Sequence, residues 1–200
     1  MTGFITLFVV CAAAIWILLR RSKPKASPVL LPQSFVVFDL ETTGLHASKH
    51  EIIEIGAVRV DAAAGTEEHF QMLVKPRKKI PKKIRELTGI TQQMVDRDGV
   101  ALEKAMAEFT AFIEDLPLVA FNAEFDMAFL NRASGGVNNR SICALEMSRR
   151  AWPGLNSYKL VALSKARNLA MDDNHRALGD SRRTLVVYRD AVAALGAVLQ

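Results

Sequence analysis

Residues 34–40 hold a short, nearly unbroken apolar run, FVVFDL, as expected of a central strand covered on both faces. After a turn at Gly44, residues 51–60 predict a second strand. A third follows the turn at Ala64-Gly65 over residues 68–74, where Phe70, Met72 and Val74 alternate with His69 and Gln71. This spacing suits an antiparallel meander. The period then changes. Leu102, Ala105, Met106, Phe109, Phe112 and Ile113 recur at the three- and four-residue spacing of one buried helix stripe, and Pro117 stops it. Residues 118–121 predict a short strand, and residues 124–133 a helix ended by Gly135-Gly136. Further helices are predicted over 144–150, 158–167 and 175–198, with no internal repeat. Strands first, then alternating helices and short strands, predict an α/β domain with a mixed sheet.

Ahead of this body, residues 4–19 read FITLFVVCAAAIWILL without a charge. As a helix this run spans roughly 24 Å, against about 30 Å for a hydrocarbon core. Thr2 and Gly3 extend it, Arg20 and Arg21 reach towards headgroups, and Trp16 suits the interface. A cleaved secretory signal would carry basic residues before the apolar core, where Met1-Thr2-Gly3 has none. Arg20, Arg21, Lys23 and Lys25 follow it instead, which by the positive-inside rule places the body in the cytoplasm. The expectation is a single-pass membrane protein. It has a transmembrane helix over 1–21, a linker over 22–33 marked by Pro24, Pro28 and Pro32, and a cytoplasmic domain over 34–200. A cleaved signal and a buried helix are the competing readings.

Composition narrows the picture only a little. Half of the residues are hydrophobic, enough for a packed core. The formal charge of +5 favours an acidic partner without identifying one. Cys11 and Cys143 lie in unrelated contexts, so neither a disulfide framework nor a cysteine metal site is supported.

The acids carry more. Asp39 and Glu41 stand at the end of the first predicted strand, and period two puts both carboxylates on one side of the chain. Thr42-Thr43-Gly44 then lets the backbone turn. Asp126, in FNAEFDMAFL, opens the mid-chain helix beside the stripe of Phe125, Phe129 and Leu130. His175 and Asp180 lie in NHRALGDS, and Asp180 falls in line with Tyr188, Ala191, Val192 and Leu195, so it points inward. Their spacing is about 140° on a helix, so His175 must stand at or before the first turn, capped by Asp173 or Asn174. Each feature has a bland counterpart: solvated acids at a strand end, an acid pairing with a helix dipole, an exposed histidine at a helix start.

Together they make a pattern. FDLETTGL, IIEIGAV, LTGIT, FNAEFDMAFL and HRALGDS occur in that order. The body from Ser34 to about Ala194 thereby resembles the DEDD 3′–5′ exonucleases. It is most similar to the His-containing branch typified by the proofreading epsilon subunits of bacterial DNA polymerase III. The resemblance implies a ribonuclease H-like fold, with a mixed five-stranded sheet flanked by helices. It implies two Mg2+ ions, with Mn2+ as a substitute, and a substrate of single-stranded nucleic acid with a free 3′ end. Asp39 would bridge the ions, Glu41 and Asp180 would complete the first site, Asp126 would support the second, and His175 would be the general base. Thr42, Thr43 and Leu45 would cradle the terminal nucleotide, with Asn122 and Phe125 lining the other side.

The chain departs from this pattern twice. Phe121 stands where the family usually has a histidine, which implies altered substrate contact, and Ser181 stands where alanine usually follows the last aspartate. The basic run Lys75, Arg77, Lys78, Lys79, Lys82, Lys83 and Arg85 reads as a phosphate track, a solvated surface or a face for anionic lipid. The expected activity is 3′–5′ hydrolysis to 5′-monophosphates, DNA favoured. RNA 3′-end trimming and an inactive membrane-tethered binding module are the alternatives. A polymerase partner is left unassigned.

Overall fold

The structure, a computed structural model, describes residues 30–170, 175–196 and 198–199. Strands β1 (Leu30–Leu31), β2 (Ser34–Thr42), β3 (Ile52–Asp61) and β4 (Thr66–Leu73) come first. Helices α1 (Lys82–Thr88), α2 (Gln92–Arg97) and α3 (Leu102–Ile113) follow. Then come β5 (Leu118–Ala120), α4 (Ala123–Ser134), β6 (Ser141–Cys143), α5 (Ala144–Ala151), α6 (Leu160–Lys165), α7 (Ala177–Ala194) and β7 (Val198–Leu199).

The main sheet has five strands in the order β4-β3-β2-β5-β6. The β2–β3–β4 meander is antiparallel and β5 and β6 add in parallel, so the sheet is mixed as expected. Strand β2 lies at its centre and is covered on both sides. Val36, Phe38 and Leu40 pack with Met106 and Phe109 of α3 and Phe129 and Leu130 of α4. Phe35 and Val37 pack on the opposite face with Leu185, Tyr188, Ala191 and Val192 of α7. Alternation therefore carries Asp39 and Glu41 onto the α7 face. On β3, Glu54 and Gly56 share that face with Val58 and Val60. The β2–β3 register sets Asp39 opposite Gly56 and Glu41 opposite Glu54, and it slips between Glu41 and Thr42. Such an irregularity re-aims side chains at a strand end.

Several elements differ from the sequence expectation. The last helix begins at Ala177, because His175 has a left-handed backbone (φ 59) that cannot belong to a helix. It stops at Ala194 because Gly196 turns the chain (φ 66), and Val198–Leu199 pair in parallel with Leu30–Leu31 instead of extending the helix. Asp173 and Asn174, the expected caps, lie outside the described residues.

The membrane expectation is corrected. Among the described residues no helix is long and apolar enough to cross a membrane. Residues 1–21, on which the expected anchor and cytoplasmic orientation rested, lie outside them. The basic run is also less uniform than its sequence: Lys75 pairs with Asp96 at 3.7 Å, Arg77 with Glu51 at 2.8 Å and Lys82 with Glu86 at 3.6 Å.

Candidate active site

Three parts of the chain meet at the end of β2. Asp39 and Glu41 come from the strand itself. Asp126 comes from the first turn of α4 and is buried, with its Oδ1 accepting a hydrogen bond from Leu40 N–H at 3.2 Å. Asp180 comes from the first turn of α7 and is also buried. His175 stands two residues ahead of that helix, on the loop edge. One ligand atom each from Glu41, His175 and Asp180 lie within 4.8 Å of one another.

The approach of α7 depends on Gly56. A Cβ there would sit 2.1 Å from Leu178 N and 2.2 Å from Ala177 C, so only glycine lets the helix backbone lie this close to β3. Ser181 secures the contact: its Oγ lies 2.9 Å from Gly56 O and 2.8 Å from Ala177 O, fully buried. The serine noted as a departure thus fastens the helix to the sheet.

The carboxyl groups are electrostatically costly together. Burial, then Asp126, Asp180 and Glu41, push the Asp39 carboxyl well above its ordinary range. Glu41 is pushed up to about 8 by burial, then by Asp180, Glu54 and Asp126. Burial lifts Asp126 to about 7 despite the Leu40 hydrogen bond. Asp180 is raised by burial, which outweighs Arg183 beside it. Arg183 is itself buried and donates from both Nε (3.0 Å) and Nη2 (2.7 Å) to Asp180 Oδ1, while Nη1 reaches Ala170 O at 3.1 Å. Four carboxyls that repel one another beside an imidazole form a donor set suited to hard divalent cations, whose charge would relieve the repulsion.

The expected substrate residues divide into two groups. Leu45, Asn122 and Phe125 share one cavity of about 350 Å³ with His46, Ala47 and Phe129. Leu45 is 76 % exposed, a large apolar side chain standing in solvent beside it. Thr42 and Thr43 do not line this cavity. Both are buried and shape the turn: Thr42 Oγ1 donates to Gly44 O at 2.7 Å, and Thr43 Oγ1 accepts from Glu51 N–H at 3.0 Å.

With this geometry in place, comparison with known proteins decides the family. The sequence profile of the exonuclease family (RNase T type) matches residues 36–188. The chain belongs to that family. It carries a 3′–5′ exonuclease domain. It is 35% identical over 176 residues to the DNA polymerase III subunit epsilon of Aquifex aeolicus, covering 84% of this chain and 86% of that protein. It is 39% identical over 160 residues to the PolC-type DNA polymerase III of Halalkalibacterium halodurans, covering 78% of this chain but 11% of that much longer protein. Among solved structures, Exonuclease X in complex with 5′-overhanging duplex DNA superposes with a TM-score of 0.62 at 28% identity, over 80% of this chain and 91% of that one. The zinc-bound complex of Escherichia coli Exonuclease I with single-stranded DNA gives 0.67 at 20% identity over 78% of this chain and 39% of that one, a likeness of fold.

Sequence reasoning missed three neighbours of the site: Glu54, Gly56 and Arg183. A signal existed for the first two, an acid and a glycine at two-residue spacing inside the apolar run IIEIGAV. Arg183 gave none, because a second arginine in SRR reads as solvated helix surface.

Proposed function

We propose that this chain removes nucleotides from the 3′ end of single-stranded DNA by divalent-metal-dependent hydrolysis, releasing nucleoside 5′-monophosphates. The observation that carries the reading is the meeting of Asp39, Glu41, Asp126 and Asp180 with His175 at one strand end, where the carboxyl groups raise one another's pKa values. DNA is favoured over RNA because the relatives are named as a PolC-type DNA polymerase III and a DNA polymerase III epsilon subunit, and Exonuclease X was solved on DNA.

In this reading Asp39, Glu41 and Asp180 would hold one divalent ion, and Asp39 with Asp126 would support a second. Mg2+ or Mn2+ held there would supply an activated water and positive charge for the leaving 3′ oxygen. The remaining work falls to the chain. His175 takes a proton from the attacking water at a ring nitrogen. Its left-handed backbone keeps the imidazole at the loop edge, close to Glu41 and Asp180 but off the helix. Arg183 donates twice to Oδ1 of Asp180 and so orients that carboxylate. Leu45 and Phe125 offer apolar surface to the terminal base and sugar, and Asn122 a polar edge. Thr42 and Thr43 hold the turn that presents Leu45.

The test is side-by-side digestion of 5′-labelled DNA and RNA strands of one sequence in MgCl2. Progressive shortening from the 3′ end, faster on DNA, with mononucleotide product, is expected. Faster loss of RNA would overturn the substrate assignment, and internal cleavage would overturn the exonuclease reading.

A further inference from the structure

Glu54 is a fully buried carboxylate that stands outside the acid set described above. It lies opposite Glu41 in the β2–β3 pairing and adds to the repulsion that raises Glu41. A buried charge in that position is unfavourable unless donors surround it. They do. Arg176 donates from Nε at 3.0 Å to Oε2 and from Nη2 to Oε1. Ala177 N–H, at the first position of α7, donates to Oε2 at 2.9 Å. Gln71 Nε2 donates to Oε1 at 2.9 Å from β4. Both oxygens are therefore taken by the protein itself, which makes Glu54 unsuited to coordinating an ion.

What these bonds join is informative. Ala177 opens α7, whose first four N–H groups have no partner within the helix. Arg176 links that helix to His175, and Asp180 lies in its first turn. Glu54 thus grips the segment between the imidazole and the carboxylate from the strand position facing Glu41. The bond spans 123 residues of sequence, so no local interaction replaces it.

We propose that Glu54 is a positioning residue: by binding Arg176 and Ala177 N–H it sets His175 and Asp180 in register with Asp39 and Glu41. The proposal rests on the reading of those residues as the working site. Loss of the grip lets the start of α7 drift while the substrate cavity, built from other elements, is untouched. The effect therefore falls on kcat and spares KM.

The experiment compares wild type, Glu54→Gln and the double variant Glu54→Leu/Arg176→Leu, measuring Tm together with kcat and KM on a 5′-labelled single strand in MgCl2. The double variant removes both charges of the Glu54–Arg176 pair, so neither is left facing the other's empty place. It is expected to keep a cooperative transition with kcat about 10²-fold lower and KM within about twofold of wild type. Glu54→Gln keeps one acceptor and falls between the two. Wild-type kcat in either folded variant would overturn the proposal. Loss of cooperative unfolding in both would also overturn it, by making Glu54 a residue of the fold alone. An inactive wild type would sink the exonuclease reading instead, so the two failures are separate.

Discussion

Replacing Gly56 with alanine tests how the site is assembled. The added carbon would lie 2.1 Å from Leu178 N, 2.2 Å from Ala177 C and 2.6 Å from Leu178 Cα. All three are backbone atoms, so no side-chain rotation relieves the contact. Carbon atoms settle at about 3.5–4.0 Å from their neighbours, so α7 must retreat by more than about 1 Å. Overpacking of this kind costs about 1–3 kcal/mol, which for a domain of this size lowers Tm by about 2–12 °C. The larger effect is on turnover. Asp180 and His175 move with α7 while Asp39 and Glu41 stay with β2, and a misplacement of about 1 Å costs about 10²-fold in rate. The assay is thermal unfolding paired with 3′-end hydrolysis under conditions where the variant is fully folded. Unchanged Tm and kcat in Gly56→Ala would refute the close packing of helix on strand and the dependence of the site on it.

Other outcomes follow from the same geometry. His175→Ala should slow turnover by about 10²–10⁴-fold with little change in Tm, measured in single-turnover hydrolysis; an unchanged rate removes its role as base. Arg183→Met leaves Asp180 buried without this cation, with an expected loss of about 3 kcal/mol by chemical denaturation, and unaltered stability would contradict the pairing. In EDTA, stability should depend on pH in a stated direction. The folded-state pKa of Glu41 is raised from 4.5 to about 8, so its proton favours the folded state. That contribution is fully present below pH 4.5 and is lost as pH rises through about 8. The unfolding free energy should fall across that window in EDTA by an amount on the order of a few kcal/mol, carrying Tm down with it, and the dependence should flatten in excess MgCl2. A Tm that rises over the same window in EDTA would contradict the carboxyl cluster.

Much of this site was legible because it rests on local periodicity. The unbroken apolar run of Phe35, Val36, Val37 and Phe38 placed a strand covered on both faces, and period two placed Asp39 and Glu41 on one of them. The 140° argument put His175 off the helix, where its left-handed φ places it. What was not legible depends on distant contacts. Glu54 meets Ala177 across the domain, and Gly56 matters only because a helix more than 120 residues later lies against it. Residues 141–143 form a three-residue strand too short to show a period, and α1 and α2 carry too few apolar positions to form a stripe. Thr42 and Thr43 match the family text, yet their hydroxyls are engaged in the turn; motif identity alone does not distinguish shaping a loop from touching a ligand.

The most direct measurement is release of nucleoside 5′-monophosphate from a single-stranded oligonucleotide by the wild type and by Asp39→Asn, each in MgCl2 and in excess EDTA. The carboxylate cluster requires rapid release only for the wild type in MgCl2, with Asp39→Asn and both EDTA samples near background. Equal release by Asp39→Asn, or undiminished release in EDTA, would contradict a metal-dependent site built on Asp39.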